Sequence, residues 1–330
     1  MKRYEICFAI APVFFIVAFS TTVRARHHFV THKLTSVSPF AIQRYVIAHK
    51  NDEYISLEKF WRRMGIATEI WGKYDKCKAS IFHLPFNNEP GDGVVLKLCE
   101  GRYGLTRFVI FKPVNFDQKT KWEFLGKIDF ENQWYSVPKH QVVTADDKHW
   151  LVLSATTGHG SGYGRSHDYW YELGPKGLRQ ILSYPSGRFF MGWGAVPEMD
   201  SGSRILSVND QSGVTTVTVQ FFITYTADYN NDSKSRFRLW SRQQRAFFVR
   251  QSGASKFVFD PRQSELSKKE IDAIYGGEVT NSEDILRYNY AQLAQIARRK
   301  RQKSRAWLRQ FLESCSETRG KIRLRRALRS

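Results

Sequence analysis

The sequence predicts a mainly β fold: an antiparallel sandwich or propeller-like meander, preceded by a short helical segment and followed by helices. Two observations carry that expectation. From Ile66 to about Asp260 the apolar residues recur with a period of two and are chiefly Val, Ile, Thr, Phe, Tyr and Trp, which pack well on a pleated, half-buried surface. After Pro261 the period becomes that of a helix. Short turn clusters such as Gly174-Pro175-Lys176-Gly177 separate the β runs, which makes neighbours mostly antiparallel. The chain therefore divides into a leader (1–25), a linker with an ambiguous segment (26–55), a β-rich body (56–260) and a helical region with a basic tail (261–330).

The leader begins with basic Met1-Lys2-Arg3 and continues from Ile6 to Phe19 as an uncharged apolar run, the layout of a secretory signal peptide. Val23-Arg24-Ala25 offers small residues where a signal peptidase reads them, placing the mature start at Arg26. An uncleaved membrane anchor over residues 6–23 is the alternative. Pro12, the polar Ser20-Thr21-Thr22 and the positive charges of Arg24 and Arg26 count against it. The expected location is extracytoplasmic, either periplasmic or secreted.

In the linker, Ser38-Pro39 suits a helix start, yet Phe40, Ile42, Val46 and Ala48 suit a strand equally. Ser56 caps a helix over Leu57 to Met64 that Gly65 closes. Ala79 to Phe86 and Gly93 to Leu98 read as a hairpin that brings Cys77 and Cys99 close, and in an oxidising compartment a disulfide is possible there; two free thiols are the alternative. Further strands are expected at Gly104 to Phe111, Trp122 to Ile128, Trp150 to Ala155, Asp168 to Leu173, Leu178 to Tyr184, Val214 to Thr226, Arg236 to Trp240 and Ala246 to Gln251. A faint repeat offset by 66 residues sets Leu151, Leu153, Tyr171, Leu173 and Ile181 on Val217, Val219, Phe237, Leu239 and Phe247.

In the helical region Ser267 and Glu270 form a capping box, Leu266 and Ile271 a hydrophobic staple, and Gly276-Gly277 a stop. A second helix starts near Ser282. The formal charge of +20 is concentrated at the end: residues 297–330 hold thirteen Lys and Arg against Glu313 and Glu317. Arg298, Arg299, Lys300, Arg301, Lys303 and Arg305 are candidate contacts to an anionic membrane surface or anionic envelope polymer, and export disfavours nucleic acid as the partner. The alternative for this run is a solvated helix face packed onto the body by Trp307 and Phe311.

No dinucleotide fingerprint, phosphate loop or nucleophile elbow is present, so no catalytic residue, cofactor or resident metal is assigned. Gly158 to Arg165, with His167 and Asp168 behind it, supplies Ser161, two histidines and an acid, but at spacings that match no such motif. Arg26-His27-His28 resembles an amino-terminal copper motif once the leader is removed. Trp134-Tyr135, Tyr169-Trp170-Tyr171, Trp193 and Trp240 are candidates for an aromatic platform for glycans or peptides, set against the core. The expected function is a non-enzymatic binding or structural module of the envelope. The alternative is a hydrolase of an envelope polymer with its site between His159 and Asp168.

Overall fold

The period-two runs become two antiparallel sheets. The computed structural model describes residues 26–28, 33–35, 38–48, 78–87, 91–99, 104–116, 119–131, 136–160, 162–174, 177–227, 236–277, 279–299 and 301–329. The leader, the helix expected over 57–64, Cys77, Trp134-Tyr135, Ser161 and Lys300 lie outside the described residues.

The first sheet contains β1 (Arg26–His28), β2 (Lys33–Thr35), β3 (Lys78–Pro85), β4 (Asp92–Cys99), β5 (Leu105–Phe116) and β6 (Lys119–Glu131), in the order β1-β6-β5-β4-β3 with β2 also on β6. The ambiguous segment is a helix, α1 (Pro39–Ala48), because Ser38 caps it: its Oγ accepts from Ala41 N at 3.1 Å. Ile42 and Val46 of α1 pack on one face of this sheet against Val94, Leu96, Val109 and Phe111.

The second sheet is one continuous meander of β7 (Lys139–Ala145), β8 (Lys148–Gly160), β9 (Tyr163–Gly174), β10 (Gly177–Phe190), β11 (Glu198–Gln211), β12 (Val214–Ala227), β13 (Phe237–Gln251) and β14 (Val258–Asp260). It forms neither propeller blades nor a closed barrel. Its Leu151, Leu153, Tyr171 and Leu173 meet Val95, Phe108, Ile110 and Ile128 of the first sheet, so the two sheets are sandwiched over this part.

The other face of the second sheet takes the C-terminal helices: α2 (Lys268–Glu270), continued by a π-helical turn Ile271–Tyr275, then α3 (Ser282–Tyr288), α4 (Tyr290–Arg298), α5 (Gln302–Glu313) and α6 (Arg319–Arg329). The capping box at Ser267 and Glu270 is formed, and Leu266 and Ile271 are both buried. Arg188, itself buried, donates to Ile274 O at 3.2 Å and Val279 O at 2.6 Å, and Arg165 donates to Gly276 O at 3.2 Å. Two guanidiniums thus meet the negative end of a short helix and tie it to the sheet.

Three sequence expectations are corrected. The runs at 236–240 and 246–251 are one strand, since polar Ser241 to Arg245 stays paired to β12. β7 and β11 were not expected: β7 is an exposed edge, and β11 carries Asp200-Ser201-Gly202-Ser203-Arg204 where alternation would show. The 66-residue repeat has no structural counterpart, because Leu151 and Leu153 face the first sheet whereas Val217 and Val219 face the helices.

Candidate functional site

Beyond the edge of the first sheet, the same face of the meander is uncovered. Strand register places His159, Gly164, Phe189 and Asp200 side by side across β8 to β11, and Thr156, Ser166, Gly187, Gly202 and Phe222 in the next row across β8 to β12. A shallow groove of about 290 Å3 lies here, lined among others by Thr156, His159, Ser166, Phe189 and Asp200. Its floor needs glycine: a Cβ at 164 would stand 3.1 Å from the Phe189 ring, and one at 202 only 2.3 Å from the Phe222 ring. Both rings lie over backbone and remain 41% and 38% exposed.

β10 ends at Phe190, and the loop that follows brings Met191 and Trp193, the latter 59% exposed. A second recess of about 590 Å3 opens at that end, between Gly162, the Met191 to Glu198 loop and Trp307 of α5. The loop is tight: Trp193 and Val196 form a two-way bridge at 3.1 Å, and Gly192 has φ +71°, a conformation open to glycine. Met191 N donates to Gly162 O at 2.7 Å, which holds the loop against the β8–β9 turn.

Of the sequence-derived aromatic candidates, Trp170, Tyr171 and Trp240 are core residues; Trp193 is exposed. Phe189, Met191, Phe222 and Asp200 were missed. The available signal was the i, i+2, i+4 spacing of Phe189, Met191 and Trp193 among glycines, which reads as an ordinary buried strand face until the covering layer is known to stop short.

The residues from His159 to Asp168 are not assembled into a catalytic constellation among the described residues. His159 and His167 stand opposite Gly164 and Ala155, several positions apart along β8 and β9. Asp168 is buried against Ser154, Ser186 and Tyr184; burial pushes its carboxyl up and those hydroxyls partly offset it. Burial, reinforced by Arg165, holds His167 down at about 4, and its Nδ1 lies 3.2 Å from Thr157 Oγ1. No group of His, Cys, Asp and Glu suited to a metal occurs among the described residues. The backbone of Arg26 to His28 pairs with Asp129 to Lys127, so the segment proposed for copper is engaged in a ladder.

His167 has a stability consequence. Its folded pKa is below the ordinary 6.5, so the unfolded chain takes the proton first; the neutral ring's contribution is complete above pH 6.5 and is lost as pH falls toward 4. The loss expected is about 3 kcal/mol. Urea midpoints at pH 7 and pH 4.5 check it: the acid-induced drop should be smaller in His167→Gln, and an equal drop would refute the assignment.

The predicted hairpin is present, with Lys78 opposite Cys99, and Cys99 is buried; the pairing with Cys77 falls outside the described residues. In the basic region Arg298, Arg299, Arg301 and Lys303 are exposed. Arg305 is not a surface contact, because it is half-buried and donates to Leu328 O at 2.6 Å, closing the end of α6. Lys321 is likewise drawn inward, donating to Cys315 O at 2.5 Å. Arg319, Ile322, Arg323, Arg326 and Arg329 form one exposed stripe on α6, opposite buried Leu324 and Leu328. Arg309 adds a cation on α5, and the exposed acids here are Glu313 at the end of α5 and Glu317 in the connection to α6.

The fold and these faces define a layered, mainly β scaffold with an uncovered sheet face and a cationic helical face. Compared with known proteins, the chain matches no family model, and no curated protein or solved structure gives a significant match. No helix among the described residues is long and apolar enough to cross a membrane.

Proposed function

We propose that this is an exported, non-enzymatic binding protein that docks on an anionic membrane surface through the outer faces of α4, α5 and α6. The observation that carries the reading is the division of labour within these helices. Their apolar stripes are consumed by the core, and Arg298, Arg299, Arg301, Lys303, Arg309, Arg319, Arg323, Arg326 and Arg329 are left exposed. Near an anionic bilayer each such side chain contributes about 1 kcal/mol, attenuated over a Debye length of about 8 Å at physiological salt. An outward-facing, cation-studded layer suits an extended surface, whereas a single polymer strand would favour a charged groove. Export is supported by the leader's basic start, apolar run and small residues before Arg26.

The test uses the full chain and vesicles of phosphatidylglycerol with phosphatidylcholine. Arg319→Glu, Arg323→Glu and Arg326→Glu together are expected to weaken binding by about a hundredfold at low salt while the protein stays folded. Unchanged vesicle binding would sink the proposal, as would binding that a soluble polyanion supports and vesicles do not. Recovery of intact chain with Met1 among intracellular soluble proteins would remove the assigned compartment.

A further inference from the structure

We propose that the uncovered face of the meander, from His159 and Phe189 across to Phe222 and on to Trp193, is a binding site for a neutral oligosaccharide. Three features of the face point to that chemistry. The Phe189 and Phe222 rings lie over Gly164 and Gly202, close enough that a Cβ would stand 3.1 Å and 2.3 Å from them, and both rings are open to solvent. Cross-strand pairing of aromatic with glycine stabilises a sheet without any ligand; here two further exposed apolar side chains, Met191 and Trp193, follow in the loop after β10, at 55% and 59% exposure. Trp193 is held in place: a Cβ at Gly162 would lie 3.5 Å from its Nε1, and its own backbone is bridged to Val196.

Polar groups flank the rings. Asp200 stands directly opposite Phe189 in β11, and its carboxylate has no ion pair among the described residues. Thr156, Ser166 and His159 line the same groove. Between the rings, Gly187 is only half-buried and leaves backbone within reach of a flat ligand. A lipid tail would bury the Asp200 carboxylate and the Ser166 hydroxyl without solvent, at a cost in desolvation. Arg165 and Arg188 also border the groove, but their guanidiniums donate to the Gly276, Ile274 and Val279 carbonyls, and an anionic ligand would meet the exposed Asp200 charge. An extended peptide is recognised through the unpaired backbone of a sheet edge, and β9 to β12 are interior strands paired on both sides. A pyranose ring has an apolar face for the aromatic rings and equatorial hydroxyls for the carboxylate, imidazole and hydroxyl groups, so it satisfies both kinds of lining at once.

The geometry also sets the size of the ligand. Phe189 and Phe222 sit two strands apart, about 10 Å across the sheet, and Trp193 lies beyond the end of β10, in the Met191 to Glu198 loop. The site therefore takes several linked sugar units, and a monosaccharide engages only one ring.

The experiment is an array of neutral hexose and N-acetylhexosamine oligomers probed with the full chain, followed by titration of the strongest hexamer with tryptophan fluorescence as readout. Binding is expected to blue-shift Trp193 emission, to strengthen from disaccharide to hexamer, and to weaken by about fivefold for each of Phe189→Ala, Phe222→Ala and Trp193→Ala. Trp193→Phe should restore most of the affinity, and Asp200→Asn should weaken binding without altering thermal unfolding. No array signal, or a signal that survives the triple alanine variant in a folded protein, would overturn the proposal. These residues are remote in sequence from the cationic stripe, and vesicle binding by the triple variant should equal that of the unaltered protein, so the two proposals fail independently.

Discussion

Replacing Glu172 with alanine is expected to cost about 3–5 kcal/mol of folding stability, the effect of leaving a buried cation without its partner. Glu172 on β9 receives Arg250 of β13 through two hydrogen bonds, 2.9 and 3.0 Å, and Arg179 of β10 at 2.6 Å. Its carboxylate also accepts from Asn87 at 3.2 Å, in the turn between β3 and β4. Three strands lie between β9 and β13, β10 to β12, so this pair exists because the meander curls and brings its concave face together. Burial alone would raise the Glu172 carboxyl, yet Arg250 and Arg179 outweigh it and hold it at about 2. The carboxylate's contribution is therefore complete above its ordinary 4.5 and is lost only as pH falls toward 2. Arg250 is 12% exposed and would stay buried after the substitution, whereas Arg179, at 52%, can turn to solvent. Urea unfolding at pH 7 gives the answer: Glu172→Ala should lower the midpoint severely and Glu172→Gln less so. A Glu172→Ala protein within about 0.5 kcal/mol of the original would show that the pair does not hold the curl.

Truncation before Gln302 is expected to abolish folding rather than merely remove charge. Trp307, Leu308, Phe311, Leu312, Leu324 and Leu328 of α5 and α6 are all buried, and Trp307 stacks on Phe311 at 5.0 Å beside Trp240 at 6.0 Å. Each such side chain contributes about 1.5–3 kcal/mol by leaving water, so the six together rival the 5–15 kcal/mol net stability typical of a domain. The truncated chain would also uncover Trp240 and the sheet face around Tyr225, which stack at 4.4 Å. It should be recovered aggregated, or soluble with exposed apolar surface detected by dye binding and lost near-ultraviolet dichroism. A truncated protein with unchanged thermal unfolding would contradict this. The comparison decides how the surface proposal is tested: loss of vesicle binding on truncation would report unfolding, whereas the Arg319, Arg323 and Arg326 reversals touch only exposed side chains.

Elements defined by neighbours in sequence were legible. The Ser267 and Glu270 capping box, the helix start at Ser282 and the alternation of Val214 to Thr226 each depend on residues a few positions apart, and each is present. β7 and β11 were not legible, because an edge strand and a strand with an uncovered face carry polar residues where alternation would reveal them. The basic region was legible as charge but not as architecture: Arg305 and Lys321 are capping groups whose carbonyl partners, Leu328 and Cys315, become neighbours only once α5 and α6 have packed.

The amino-acid order by itself determined which segments extend, which coil, where helices begin and how charge is segregated, since these follow from local sterics, hydrogen bonding and periodicity. Tertiary structure alone decided which face of each strand meets which layer. A period of two defines two faces without naming their neighbours, and irregularities such as those between Pro185 and Gly187 and between Ile205 and Ser207 shift the register that puts Phe189 beside Asp200 and Phe222 over Gly202. The uncovered groove, the Glu172 clamp and the sorting of arginines into anchors and surface cations all arise from closing contacts between residues far apart in the chain, where the cost of chain ordering and the gain from burial are settled together.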